Sequence, residues 1–239
     1  MALRSTWKPG KEEVVAQNGV VTAMQPPSAE AGLEILKTGG NAVDAAVAMA
    51  FCNVVLEPYM ATIAGLGCML IHLSKERKTI AIDFNTRAPK NARPDMYRPI
   101  GPASPGFINL FDVEGNANIQ GPLSVSVPAA CAGLCEAQKR YGRLPLEQVL
   151  EPAIHLAMKG FEADWHLTLY AANKFDAISQ DPYLASMWLP HGRPPQSFPK
   201  PGETIVQRDL GESLKRVAKH GPAAMYRGEI ADAIDEFMR

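Results

Sequence analysis

Cysteine and histidine are scarce in this sequence. The 239 residues include four cysteines and five histidines. No two cysteines form a CxxC pair and no histidines show HxxxH or HExxH spacing, so the patterns of zinc ribbons, thiol redox sites and helical zinc sites are missing. We therefore expect no metal ion and no cofactor, and we expect the cysteines to be small buried hydrophobic residues. They are Cys52, Cys68, Cys131 and Cys135.

Neither sign of charge predominates. Lys and Arg together number 24 and Asp and Glu together 25, which gives a formal net charge of -1. Binding to nucleic acid or to an anionic membrane usually draws on an excess of positive charge. We therefore expect no nucleic-acid partner, and a small molecule or another protein chain as the partner.

Long apolar runs are also missing. The longest, from Ala45 to Cys52, is far shorter than the roughly 20 residues that a membrane-spanning helix needs. Near the N-terminus, charged residues and Pro9-Gly10 stand where a signal peptide has its apolar core. We expect a cytoplasmic protein that makes no use of a membrane, with a flexible segment at residues 1–13.

Apolar residues are nevertheless abundant, at 46% of the chain, which is enough for a sizeable core. The most distinctive stretch is GGNAVDAAVA, residues 39–48. Asn41 is predicted to be the N-cap of a helix, and Asp44 lies three residues later in the positive first turn. This helix is apolar on almost every side, which predicts burial. Ser28, after two prolines, is predicted to cap the preceding helix.

Two apolar runs of strand length follow, at residues 68–74 and 79–84, with a charged turn between them. This pattern predicts a β-hairpin, and the weak alternation predicts burial on both faces. Residues 85–121 are rich in Pro and Gly and are expected to form long surface loops.

Helical patterns predominate in the rest of the chain. Pro152 is expected to kink or break the second of these helices. The predicted helices are residues 129–141, 146–161, 164–178, 207–220 and 230–239.

The sequence offers few candidates for chemistry. The glycine loop Ala64-Gly65-Leu66-Gly67 could expose N–H groups to a phosphate, but it follows a helix and enters a strand, the reverse of a dinucleotide-binding fingerprint. A glycine turn that allows close backbone approach explains it better. No GxSxG elbow is present, and no residue is a convincing nucleophile.

The segment DFNTRAP, residues 83–89, is different. It places Asn85 and Arg87 where the chain leaves the second predicted strand and side chains can face a cleft. The planar donor fork of Arg87 is suited to holding a substrate carboxylate. An ion pair between Arg87 and a nearby Asp or Glu is the structural alternative, and the pattern alone leaves both open.

Taken together, these stretches resemble the gamma-glutamyltranspeptidase family of N-terminal-nucleophile hydrolases. The resemblance is collinear from about Val14 to the end of the chain. It is carried by NGVVTAMQPPSAEAGLEILKTGGNAVDAAVA, by a Glu-Pro before a glycine loop, by CMLIHL and AIDF, by SVSVPAACAGLCEAQKRYGRLPLEQVLEPAIHLAMKGF and by HGPAAMYRGEIADAI.

The resemblance implies an α+β fold, a four-layer αββα sandwich, and a proenzyme that cuts itself into a large and a small subunit. The nucleophile is then the N-terminal threonine of the small subunit, which forms an acyl-enzyme. This chain corresponds to the earlier portion of the large subunit, a single partial domain over residues 1–239. It is expected to be inactive alone and to need a complement that carries the nucleophile.

Two departures from the family pattern bear on the substrate. Gamma-glutamyl-specific members carry an arginine directly after the Asp-Phe, where this chain has Asn85, and its arginine is Arg87. Two residues along a strand displace a side chain by about 6.6 Å on the same face. We expect a small or acidic amide or gamma-glutamyl-like donor other than glutathione, held by Asn85 and Arg87. Gly65 and Gly67 are expected in a pocket loop, although the family's run of glycines is altered here.

A different class of function competes with the enzyme interpretation. A chain that kept this part of the fold without the nucleophile half would be a non-catalytic scaffold or binding protein. A downstream segment that begins with threonine would favour the enzyme.

Overall fold

The structure is a computed structural model that describes residues 13–103 and 111–239. The predicted flexible segment, residues 1–13, lies outside the described residues except for Glu13. The helices and strands are α1 (Pro26–Lys37), α2 (Ala42–Leu56), β1 (Gly67–Leu73), β2 (Lys78–Phe84), β3 (Pro99–Ala103), β4 (Phe111–Val113), α3 (Ala130–Tyr141), α4 (Leu146–Lys159), β5 (Phe161–Glu162), α5 (Trp165–Asn173), α6 (Phe175–Ser179), α7 (Pro182–Trp188), β6 (Thr204–Ile205), α8 (Arg208–His220), α9 (Ala223–Tyr226) and α10 (Glu229–Met238). This mixture confirms the α+β class.

The cap predicted for the first helix is wrong. Helix α1 begins at Pro26, and the backbone of Gln25 is the N-cap. Proline is well suited to the first helical turn because its fixed φ matches the helix and its missing N–H needs no partner there. Ser28 therefore lies inside the helix, where it is fully buried and its hydroxyl donates to the carbonyl oxygen of Met49 at 3.0 Å.

The cap predicted for the second helix is confirmed. The Asn41 side chain accepts from the N–H groups of Val43 and Asp44, and the Asp44 carboxylate accepts from the Asn41 N–H at 3.0 Å. Asp44 is fully buried and also accepts from the Arg143 N–H at 2.9 Å. The same carboxylate thus caps α2 and ties its start to the connection between α3 and α4.

The predicted hairpin is present, but its predicted burial on both faces is wrong. Strands β1 and β2 pair antiparallel, with Gly67 opposite Phe84. Helix α3 packs on the hairpin, and Ile71 of the inner face is buried. The other face of β1 carries Leu70, which is 73% exposed, because no described element covers it. Cys68 lies on that face and is exposed, whereas Cys52, Cys131 and Cys135 are buried as predicted.

Three other expectations need correction. The predicted loops of residues 85–121 contain an antiparallel pair formed by β3 and β4, with residues 104–110 outside the described part. Pro152 lies inside α4, so the predicted break is wrong, whereas the alternative of a kink stays a prediction. The helix predicted over residues 164–178 is divided at Lys174 into α5 and α6.

Helix α2 lies in the middle of the core. It packs against α1, α3 and α4, and α4 in turn packs on α8. Its alanines and valines are buried almost all round, which confirms the prediction from GGNAVDAAVA. Phe51, Leu150 and Leu214 are the largest fully buried apolar side chains of this core. Within the described ranges, no helix is both long and apolar enough to cross a membrane.

Candidate functional site

The chain leaves β2 through the two residues predicted to bind substrate. The Asp83 carboxylate accepts from the Asn85 N–H at 2.9 Å, and the Asn85 side-chain oxygen accepts from the Thr86 N–H at 2.9 Å. The Arg87 carbonyl oxygen accepts from the Val127 N–H at 2.9 Å. These local bonds turn the backbone out of the sheet and hold it against the segment that precedes α3.

Asn85 and Arg87 line one open cavity of about 630 Å³. Strand β2 forms one wall, and the flank of α3 with Glu136 and Arg140 forms another. Arg140 donates to the Glu136 carboxylate, so their charges offset each other. Among the described residues, no ion pair joins Arg87 to a carboxylate. The structural alternative for Arg87 is therefore not formed in this part of the chain, and Arg87 is an exposed residue.

Tyr226 of α9 also lines this cavity. Its hydroxyl oxygen accepts from the Ala132 N–H at 3.3 Å. Burial raises the pKa of Tyr226 above its usual range, so the residue contributes a neutral hydroxyl to the cavity at pH 7.

Gly65 and Gly67 line a second cavity, of about 520 Å³. The carbonyl groups of the loop that contains them accept hydrogen bonds from the start of α3. The Gly65 oxygen accepts from the N–H groups of Ala129 and Ala130 at 3.1 and 2.9 Å, and the Ile63 oxygen accepts from the Cys131 N–H at 3.2 Å. The loop thereby caps α3, whose first N–H groups have no partner within the helix.

Phe84 lies between the two cavities and lines both. Its ring occupies space left by two glycines. A Cβ at Gly67 would lie 2.6 Å from the Phe84 Cε2 atom, and a Cβ at Gly133 would lie 2.1 Å from its Cγ atom. This packing of Phe84 against two glycines is not predicted from the sequence, because the only local signal is a glycine opposite an aromatic residue across the predicted hairpin.

A buried polar cluster at the end of α2 was also missed. Glu57 is 6% exposed, and among the described residues its Oε1 atom has no hydrogen-bond partner. Burial raises the pKa of Glu57, and the charge of Asp164 adds to this, against opposing effects of Gln25 and His166. The Glu-Pro of the family resemblance was the one available signal.

Two other members of this cluster have shifted pKa values. Burial and the charges of Asp164 and Glu57 raise the pKa of Tyr59 to about 12. Burial disfavours ionisation of Asp164, but hydrogen bonds from Gln25, Leu167 and His166 outweigh it and lower its pKa. The Asp164 carboxylate accepts from Gln25 Nε2 at 2.9 Å, so it joins the starts of α1 and α5.

Within residues 13–103 and 111–239, no three His, Cys, Asp or Glu side chains are grouped so that they could hold a metal ion.

The chain is similar to known proteins over most of its length. The family model described as gamma-glutamyltranspeptidase matches residues 28–239. The Acylase ACY 1 proenzyme of Pseudomonas sp. (strain V22) is 39% identical over 228 residues, which are 95% of this chain and 39% of that protein. The glutathione hydrolase proenzyme of Bacillus subtilis (strain 168) is 33% identical over 231 residues, 95% of this chain and 36% of that protein.

The fold is similar as well. The crystal structure of Helicobacter pylori gamma-glutamyltranspeptidase matches with a TM-score of 0.79 and 26% identity, covering 94% of this chain and 61% of that one. The chain spans about two-fifths of the length of the curated relatives it matches. The match over residues 28–239, the fold and the order of the motifs agree: this chain belongs to the gamma-glutamyltranspeptidase family of N-terminal-nucleophile hydrolases.

Proposed function

We propose that this chain is the N-terminal part of the large subunit of an amidohydrolase or acyltransferase that acts on carboxylate-bearing amides. The single observation that carries the proposal is that Arg87 lines an open cavity and that its guanidinium forms no ion pair among the described residues. A guanidinium can bind a carboxylate through two parallel hydrogen bonds.

The complement would supply the nucleophile of the reaction. The hydroxyl oxygen of its N-terminal threonine would attack the donor's amide carbon, and the amine would leave with a proton. Water or a second amine would then attack the resulting ester, release the acyl group and return the hydroxyl. Arg87 would hold the donor's carboxylate during both steps, and Asn85 would add a neutral amide beside it.

The proposed donor is not gamma-glutamyl in the family's usual arrangement. Asn85 stands directly after Asp83-Phe84, and Arg87 comes two residues later, beyond the turn in which the Asn85 side-chain oxygen accepts from the Thr86 N–H. A carboxylate bound by Arg87 would therefore sit at a different distance from the acyl carbon. The names of the relatives, an acylase and a glutathione hydrolase, support a family whose members differ in donor.

A complementary subunit is the proposed partner. The acylase and the glutathione hydrolase to which this chain is similar are called proenzymes and are more than twice as long as this chain. The outer face of the β1–β2 hairpin exposes Leu70 and Cys68, and a two-stranded sheet alone is marginally stable in water. Covering that face would stabilise both parts.

The experiment is kinetic. The protein complete with its complement is assayed on a panel of amides with and without a free carboxylate. We expect Arg87→Ala to raise KM for the carboxylate donors at least about tenfold, since a charge-assisted hydrogen bond contributes about 1.5–3 kcal/mol, and to leave neutral amides unchanged.

Arg93→Ala is the matched control, because Arg93 is exposed and pairs with Asp95 on the surface. An unchanged KM for every acidic amide in the Arg87 variant would remove Arg87 from the donor site. Absence of amide hydrolysis and aminolysis by the complete protein would favour the scaffold function instead.

A further inference from the structure

Tyr226 is held at the start of α3 by a backbone group. The first three N–H groups of a helix have no partner within it. In α3, carbonyl oxygens of the loop before β1 accept from the first two. The third belongs to Ala132 and donates to the Tyr226 hydroxyl oxygen at 3.3 Å. Tyr226 and Ala132 both line the cavity of Arg87.

The hydroxyl of Tyr226 still has its own proton to donate. A tyrosine hydroxyl can accept one hydrogen bond and donate another, and no described residue accepts from Tyr226. Burial raises the pKa of Tyr226 above its usual range, so the hydroxyl keeps this proton at neutral pH. The side chain therefore offers a neutral O–H donor whose oxygen is fixed by the backbone.

The other charged side chains of the lining already have partners. Arg140 donates to the Glu136 carboxylate, and the Asp83 carboxylate accepts from the Asn85 N–H. Arg87 is then the one cation of this lining that pairs with no carboxylate in the described part of the chain. A guanidinium and an O–H group together suit a carboxylate, whose two oxygens accept several hydrogen bonds.

Arg87 and Tyr226 lie along one wall of the cavity. The Val127 N–H donates to the Arg87 carbonyl oxygen at 2.9 Å, and Ala132, which bonds to Tyr226, follows in the same stretch of chain. Residues 127–129, 132 and 133 all line the cavity. The segment that leads into α3 thus connects the two donors.

We infer that Tyr226 is a specificity-determining residue of this cavity, and that its hydroxyl donates a hydrogen bond to the carboxylate that Arg87 binds. The inference rests on the proposed function and deepens it, because a second donor to the same group defines the substrate class more closely. Donors with an ionised carboxylate are favoured over those with an ester or an amide in its place.

The test is the binding of glutarate, a dicarboxylate probe, to the protein complete with its complement, measured by calorimetry. Tyr226→Phe keeps the ring and removes only the hydroxyl, so we expect glutarate binding to weaken at least about tenfold. Tyr183→Phe is the matched control, because it removes a hydroxyl that donates to Asp209 outside this cavity. Its affinity should stay within about twofold of the wild type.

A second measurement separates contact with the ligand from a structural role. The bond between Ala132 and Tyr226 lies at an exposed position, where water can replace the hydroxyl, so the two Phe variants should have similar Tm values. With tyrosine labelled with ¹³C at Cζ, the resonance missing from the Tyr226→Phe spectrum belongs to Tyr226. It should move as glutarate is added to the wild type and stay in place with glutaramide, which has no carboxylate.

The outcomes separate this inference from the proposed function. Unchanged glutarate binding in Tyr226→Phe, or a Tyr226 resonance that stays in place at saturation, overturns the inference. If Arg87→Ala still weakens glutarate binding, the proposed function stands without Tyr226. Weaker binding in Tyr226→Phe with a lowered Tm and an unmoved resonance would make Tyr226 a structural residue. No glutarate binding by the wild type, or unchanged binding in Arg87→Ala, would count against both.

Discussion

Glu57 is a carboxylic acid in a place that disfavours its charge. It is buried at the end of α2, near the ionised Asp164, and its pKa is raised. A folded-state pKa above the unfolded value means that the folded chain binds this proton more tightly. The stabilisation from the protonated form is complete below the unfolded pKa and is lost as pH rises through the folded pKa.

Glu57→Gln should therefore stabilise the protein at neutral pH. The variant keeps the shape and removes the buried charge, so we expect its free energy of unfolding at pH 7 to exceed that of the wild type by about 1 kcal/mol. The difference should shrink as pH falls toward the usual pKa of Glu. Urea unfolding at a series of pH values measures it, and Glu76→Gln in the exposed β1–β2 turn is the control. A difference that does not change with pH would contradict the assignment.

A site residue could be predicted from the sequence when its neighbours in the structure are also its neighbours in the chain. Asn85 and Arg87 were placed together because they share one strand end, and both line the same cavity. Glu57 was not singled out, because its environment comes from distant parts of the chain. Gln25 and Asp164, which bond to each other next to it, are 139 residues apart. Sequence patterns relate residues a few positions apart, so they could not predict this contact.

The contact between the hairpin and α3 depends on a glycine in α3. Gly133 has no side chain, and the Phe84 ring fills the space where its Cβ would be. An alanine in the middle of an exposed helix usually stabilises it by about 1 kcal/mol relative to glycine. Here overpacking opposes that gain and typically costs about 1–3 kcal/mol.

We expect Gly133→Ala to lower the free energy of unfolding by about 1–2 kcal/mol, because the added methyl must displace Phe84. Phe84→Leu combined with it should recover little of the loss, because leucine keeps the Cβ and Cγ atoms that lie nearest to the added methyl. Gly101→Ala in β3 is the control, with no atom within 4 Å of the added Cβ. Thermal or urea unfolding measures all three, and a stabilised Gly133→Ala variant would show that the ring moves freely.

At the scale of elements, the start of a helix was predicted correctly where the cap and its hydrogen-bond partner lie in one short segment. The Asn41–Asp44 box was predicted because cap and partner are three residues apart. The Ser28 cap failed because the helix begins at Pro26, so the N-cap is Gln25, three residues before Ser28. The helix expected over residues 164–178 failed at Lys174, where the backbone leaves the helical conformation without any Gly or Pro to signal it.

At the scale of the whole molecule, the sequence predicted the family, and the structure showed which surfaces remain open. The weak alternation of the strands was interpreted as burial on both faces, but only the inner face is covered by described elements. The pattern of apolar residues in a strand reflects its burial in the assembled protein. This chain spans about two-fifths of the length of its relatives, so a face that is exposed here can be buried in the assembly. The outer face of the hairpin, where the large apolar side chain of Leu70 is exposed, is thus where a complement would be expected to pack.

Leu70→Glu tests this expectation on the outer face, where Leu70 is 73% exposed. If a complement packs there, the variant should bury an unpaired charge in the assembly, which costs several kcal/mol, and co-purification with the complement should fall at least about tenfold. In the chain alone the charge stays in water, so Tm should change little and binding of a hydrophobic dye should decrease. Leu33→Glu is the control, since Leu33 is 42% exposed on α1, away from the hairpin. Equal recovery of the complement with both variants would show that the hairpin face is not the interface.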